Sequence, residues 1–309
     1  MQERFIGEVI KDKRIELGIK QWELCEGICE PSTLSRIENQ KQTPTRTVLK
    51  ALLQRLGLND ERITIAVTSE EILVNELFKD ITKDNIRYEK ANKEDRAKLR
   101  EIILERHNEL RNIMDKDDHI IEQFLVRSEV IIGQYSFAEK LERLLYAMHL
   151  THPRFELTSI RNGLFTYDEL KIINQIANAY SGSGDHAAAI KIWEDLLFNI
   201  DKRFATILPN RTCKELVLYG YSRELLIVED YEKAYINATK GRLIAVENGL
   251  FQHLGGFIII QAECEFQFGN KDVSKELFTD AYHLCRVIGD KANEKIVKEA
   301  MADYFQIEC

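Results

Sequence analysis

The chain has 309 residues, 44% of them hydrophobic and 30% charged, with a formal net charge of −8. That balance, at a length sufficient for two domains, describes a folded globular protein and excludes a disordered chain. No apolar stretch approaches the ~20 residues of a spanning helix, and Met1-Gln2-Glu3-Arg4 does not open a signal peptide, so a cytoplasmic protein with no membrane partner is expected.

Only 4 prolines occur, and apolar residues recur every three or four positions with almost no strand-like alternation, which predicts an all-α fold. None of the 6 cysteines forms a Cys-x-x-Cys pair. Cys25 and Cys29 have no His or Cys following at zinc-site spacing, so they are read as packing residues; no metal and no cofactor is expected. The charge is uneven. Residues 1–60 hold ten Lys+Arg against nine Asp+Glu, about +1, which leaves about −9 for the remainder. Only the first part is electrostatically suited to meet phosphate.

In chain order, a first helix is predicted from Glu3 to Leu17, with Phe5, Ile6, Val9, Ile10 and Leu17 on its apolar side and Gly18 as its stop. A short second helix, Gln21 to Glu26, ends at Gly27. Pro31 suits the first turn of a third helix, because its missing N–H would be unpaired there in any case. In that helix Leu34 and Ile37 face inward, which leaves Ser32, Thr33, Ser35 and Arg36 outward. A fourth helix, Arg46 to Leu56, closes a small core with Val48, Leu49, Leu52 and Leu56. Two short helices joined by a glycine-containing turn form a helix-turn-helix, whose second helix offers small polar and basic side chains to base edges in the major groove. Ser32, Thr33 and Arg36 are the candidates for base contact, Arg36 because a guanidinium can bond guanine twice. Gln21, Ser35, Lys41, Thr43, Arg46 and Thr47 are placed to grip the operator's double-stranded DNA, largely through phosphate. Glu30 and Glu38 are structural, since a carboxylate repels phosphate. The residues alone also allow a blander reading, in which Arg36 pairs with Glu38 or Glu26 and Ser32 only solvates a helix start.

The run Gln21-Trp22-Glu23-Leu24-Cys25-Glu26-Gly27-Ile28-Cys29, followed by Leu34-Ser35-Arg36-Ile37-Glu38-Asn39, resembles the XRE/Cro-type helix-turn-helix of Gram-positive peptide-pheromone regulators, the PlcR/Rgg-like RRNPP family. The resemblance implies an N-terminal five-helix-type DNA-binding domain, a dimer, a signalling-peptide ligand, and operator reading by Ser32, Thr33 and Arg36 with Gln21 near a phosphate. The sequence departs from the pattern at Gln40, where such proteins carry glycine.

Beyond the head, Thr68-Ser69-Glu70-Glu71 is an N-cap signal for a helix to about Ile81, and 85–111 reads as a solvated, densely charged helix. An internal repeat follows. Its best copy, Leu170 to Phe198, places Ala177, Tyr180, Gly184-Asp185, Ala189 and Trp193 at the spacing of a TPR-like helix pair. Weaker copies carry Asp230, Ala234 and Ala238; Ser274, Phe278 and Ala281; and, upstream, Ser136, Leu144 and Met148. Such pairs stack into an α-solenoid with a concave groove lined by the first helix of each pair. The groove candidates are Lys171, Asn174, Asn178 and Ser181 in the best copy, Tyr219 and Arg223 in the next, and Ile259 and Glu263 in the last. Asn174 and Asn178, one turn apart, can offer a peptide backbone both donor and acceptor.

The expected organisation is therefore a DNA-binding domain over 1–66, linker helices or a degenerate repeat over 67–115, and a repeat domain for peptide binding and dimerisation over 116–309. Catalytic motifs are missing, and the 7 histidines are scattered, so an enzyme is not expected. The leading expectation is a homodimeric, peptide-controlled transcription regulator; a TPR interaction scaffold with a DNA-tethering head, or a ligand-free repressor, are the rivals.

Overall fold

The computed structural model describes residues 5–58, 69–113, 118–204 and 208–307, and within these it contains fifteen α-helices and no strand. The head comprises α1 (Ile6–Glu16), α2 (Gln21–Cys25), α3 (Pro31–Glu38) and α4 (Arg46–Arg55). Ile10, Leu24, Leu34, Ile37, Leu49 and Leu52 form its core, each no more than 2% exposed. Four helices of the expected five-helix-type domain are described; residues 59–66 of the expected 1–66 lie outside the described residues. The first helix is shorter than its apolar pattern suggested: Phe5 and Leu17 are exposed, because the face that packs on α3 is the one carrying Gly7 and Ile10. A Cβ at Gly7 would overlap the carbonyl of Ile37, so that helix crossing needs glycine.

Gln40 answers the departure noted above. It adopts φ 60°, the left-handed conformation that glycine supplies without steric cost, and its Nε2 donates to Glu8 Oε1 at 2.6 Å. The helix exit keeps its geometry with a strained residue instead of a glycine.

The remainder is a chain of antiparallel helices: α5 (Ser69–Lys90), α6 (Lys93–Ile113), α7 (His119–Ile132), α8 (Phe137–Thr151), a 3₁₀ turn (Leu157–Ser159), α9 (Tyr167–Gly182), α10 (His186–Phe204), α11 (Leu208–Ile227), α12 (Tyr231–Asn248), α13 (Leu254–Gln267), α14 (Lys271–Ile288) and α15 (Lys291–Phe305). Local sequence sets many of the starts. Ser136 with Glu139, and Thr166 with Glu169, form reciprocal capping boxes at α8 and α9, while Asp118 and Asp230 accept backbone N–H groups at α7 and α12. Ala177, Ala189 and Trp193 are completely buried where α9 meets α10, and Ala234, Ala238, Ser274, Phe278 and Ala281 are equally sealed in the later pairs.

Residues 85–111 differ from the solvated helix expected. α5 runs to Lys90 and α6 restarts at Lys93, and the hairpin they form carries a sealed polar cluster. Asn85 Nδ2 and His107 Nε2 both lie 2.9 Å from Ser128 Oγ on α7, and Arg106 pairs with the buried Asp84. A mixed-charge pattern hid these positions, because their polar partners lie on another helix.

Successive odd helices α9, α11, α13 and α15 lie side by side as an inner layer. α5 touches α7 near the start of this layer and α15 at its end, so one long helix leans across the concave side.

Candidate DNA-reading head and peptide groove

On α3, Ser32 and Arg36 are exposed and Thr33 and Ser35 half-buried, while Lys41, Thr43 and Arg46 are exposed beyond it. Leu34 and Ile37 anchor the opposite face, each no more than 1% exposed. Glu38, only 3% exposed, accepts from Arg14 Nε at 2.6 Å, Arg14 Nη2 at 2.9 Å and Gln21 Nε2 at 2.8 Å. It thereby ties α1, α2 and α3 together. The same bond changes the reading of Gln21, whose side-chain donor is spent inside the head.

The head is seated on the array by α2 and α4, which leaves α3 outward. Arg55 of α4 is 1% exposed. Its Nη1 donates to the carbonyls of Leu24 (3.1 Å) and Glu26 (2.6 Å) within the head, and its Nη2 donates to the Thr151 carbonyl (2.9 Å) and Glu169 Oε1 (3.0 Å) of the array. The backbone N–H of Tyr167 donates to Gln54 Oε1 at 3.0 Å. Gly27, at φ 67°, lies so close to the Thr151 backbone that no Cβ fits. At the rim, Arg154 pairs with Glu26 at 2.5 Å and covers the Trp22 ring at 4.6 Å, and this pairing holds the Glu26 carboxyl below its usual range.

A cavity of about 440 Å³ occupies the concave side. Lys171, Asn174 and Asn178 of α9 and Tyr219 and Arg223 of α11 all line it. Ser181, Ile259 and Glu263 do not. Ser181 donates to Glu224 at 2.5 Å, Ile259 is 7% exposed in the core of the last repeats, and Glu263 accepts from Tyr304 at 2.8 Å. These three are corrected: Ser181, on α9, is taken up by Glu224 of α11, while Ile259 and Glu263 lie further along α13 than the His253 end that reaches the cavity, among the packing of the last repeats. The two asparagines are less available than their spacing suggested. Asn174 Oδ1 accepts from Trp193 Nε1 at 2.8 Å. Asn178 Oδ1 accepts from Arg223 at 2.6 Å, while its Nδ2 donates to the Asn174 carbonyl at 2.9 Å. A ligand must exchange those bonds to use them.

Residues not anticipated complete the wall. α5 contributes Ile86 and Glu89, α7 contributes Arg127, and Gln175 and His253 fill the floor. His253 stacks on Tyr219 with ring centroids 4.7 Å apart, and its Nδ1 lies 3.0 Å from Glu215. Glu89 is itself solvent-exposed, but the protein mass enclosing the groove raises its carboxyl, against the opposing pull of His253 and Arg127. Desolvation also acts on Asp168, yet Lys171, Arg127 and Lys50 outweigh it and hold that carboxyl well below the usual range. The sequence did hold one signal for Arg127: a lone guanidinium in the otherwise apolar stretch Phe124-Leu125-Val126-Arg127.

The RNPP family C-terminal domain matches residues 90–306, and a helix-turn-helix family matches 10–63. The chain belongs to the RNPP family. Solved structures share the fold at low identity. PlcR of Bacillus thuringiensis, crystallised with the peptide PapR7 and DNA, is 17% identical with a TM-score of 0.59, over 96% of this chain and 99% of that one. ComR of Streptococcus vestibularis with its cognate signalling peptide XIP is 18% identical with a TM-score of 0.56, over 96% and 97%. ComR of S. thermophilus with DNA and its signalling peptide ComS is 16% identical with a TM-score of 0.54, over 96% and 99%. Among curated proteins no sequence matches this chain. No helix among the described residues is long and apolar enough to cross a membrane.

Proposed function

We propose that this RNPP-family chain is a cytoplasmic, homodimeric, sequence-specific DNA-binding transcription regulator controlled by a short peptide in the concave groove, and not an enzyme. The observation that carries the reading is that α9 serves both the seat of the head and the groove. Its first turn holds Arg55 of the head through Glu169, and its next turns present Lys171, Asn174 and Asn178 to the cavity. A ligand that repacks α9 therefore acts directly on the seat of the head and shifts the population of head arrangements. Solved PlcR and ComR complexes with peptide and DNA support the assignment by likeness of fold. One helix-turn-helix buries too little surface for tight specific binding, so two heads on a two-fold operator are required. Residues 1–66 are assigned to DNA, 67–115 to linking helices of which α5 also walls the groove, and 116–309 to peptide and dimer contacts.

The test is sequencing of genomic fragments captured by the full-length protein. An inverted repeat is expected, and Arg36→Ala should lose about 1–3 kcal/mol of discrimination between that repeat and random DNA. Capture that stays sequence-independent, with and without peptide extract, would leave an interaction scaffold as the function.

A further inference from the structure

The cations that face the groove are not equivalent. Lys171 is paired with Asp168 at 3.1 Å, Arg223 donates to Asn178 at 2.6 Å, and Lys140 lies over the Phe137 ring at 5.6 Å near the rim. Arg127 stands apart. It is only 7% exposed, its Nε is sealed from solvent, and no hydrogen bond or ion pair to its guanidinium exists among the described residues. Its guanidinium lies over the Phe124 ring, 5.9 Å from the centroid. Asp168 and Glu89 act on it through space but lie beyond ion-pair reach, and Asp168 is already committed to Lys171. Lining the same cavity, Gln175 Oε1 is also buried without a hydrogen-bond partner.

A buried guanidinium without a counter-ion is costly, because desolvation is uncompensated. Its planar fork of donors matches a carboxylate, to which it bonds twice. The wall as a whole leans the same way. Arg127, Lys140, Lys171 and Arg223 face Glu89 and Glu215, and His253 already sits against Glu215.

We propose that the groove takes an acidic peptide, one carboxylate of which seats on Arg127 while a neighbouring N–H of the ligand donates to Gln175. This rests on the reading of the groove as a peptide site and narrows it to a ligand chemistry. Two sources supply that group: the peptide's C-terminus, or an Asp or Glu side chain.

The experiment is affinity selection of a synthetic heptapeptide library with free C-termini on the full-length protein, with retained peptides identified by mass spectrometry and resynthesised. Removing the critical carboxylate, by C-terminal amidation in one arm and Asp→Asn or Glu→Gln in the other, should weaken binding roughly 10- to 100-fold, and the sensitive arm identifies the source. Arg127→Met should weaken the parent peptide by a similar factor and bind the carboxylate-free version as wild type does. The peptide arms need only the wild-type protein, so they decide the question even if Arg127→Met folds poorly. Retained peptides whose affinity ignores both changes would overturn the carboxylate seat and leave the groove reading intact. Retention of no peptide would overturn the groove reading itself.

Discussion

Replacing Arg55 with methionine tests how the head is held. The side chain donates four hydrogen bonds, two within the head and two to Thr151 and Glu169 of the array, and both members of the Arg55–Glu169 pair have fully buried side chains. Methionine approximates its volume but strands the Glu169 carboxylate, which keeps only Thr151 Oγ1 (2.6 Å) and the Thr166 N–H (2.7 Å). Breaking a buried pair from one side costs about 3–5 kcal/mol. Glu169→Gln strands the guanidinium instead and should cost a comparable amount. The double variant removes both charges and should regain at least about 1 kcal/mol relative to the sum of the singles. Urea unfolding reads this out, because the chain has 2 tryptophans, Trp22 in the head and Trp193 in the array. Emission of the Trp22→Phe protein follows Trp193 alone, and its difference from the parent follows the head. In wild type the two transitions should coincide. In Arg55→Met the head signal should move to lower urea. Coincident transitions in Arg55→Met, or strictly additive costs in the cycle, would refute the view that this pair couples head to array.

Three further outcomes follow from single sites. His107 is sealed against Ser128, and burial lowers its pKa to about 4 from 6.5. The folded state therefore binds fewer protons than the unfolded chain across that window, so stability should fall as pH drops from about 6.5 to 4, by about 3 kcal/mol in full; His107→Gln should flatten this slope in pH-dependent denaturation, and an unchanged slope would exclude His107 as its source. Gln40→Gly relieves a left-handed backbone and should raise stability by about 0.5–1 kcal/mol despite losing the bond to Glu8, so a lower melting temperature would show the side-chain bond to be the larger effect. A Cβ at Gly241 would strike the Phe257 ring, so Gly241→Ala should cost about 1–3 kcal/mol by thermal denaturation, and a neutral result would mean that the ring has room to retreat.

Much of this protein is legible in the sequence because it is local. Helix periodicity, the capping boxes at Ser136 and Thr166, and the stops at Gly18 and Gly27 depend on residues a few positions apart, so the all-α class and the helix-turn-helix follow from the chain itself. The outward set on α3 follows equally, because Leu34 and Ile37 fix the inward face. Tertiary structure decided what depends on partners distant in sequence. Arg55 sits in a helix that reads as ordinary core, and its role as a docking residue appears only when Glu169, 114 positions later, comes within 3.0 Å. Whether a groove candidate reaches the cavity is set by the curvature of the stacked helices, which keeps Tyr219 and Arg223 at the wall and takes Ile259 and Glu263 away. The lean of α5 across the groove has no periodic signal at all. Only its last turns, from 85 onward, read as a solvated charged helix, and it takes long-range packing on α7 and α15 to turn one of its faces into a wall.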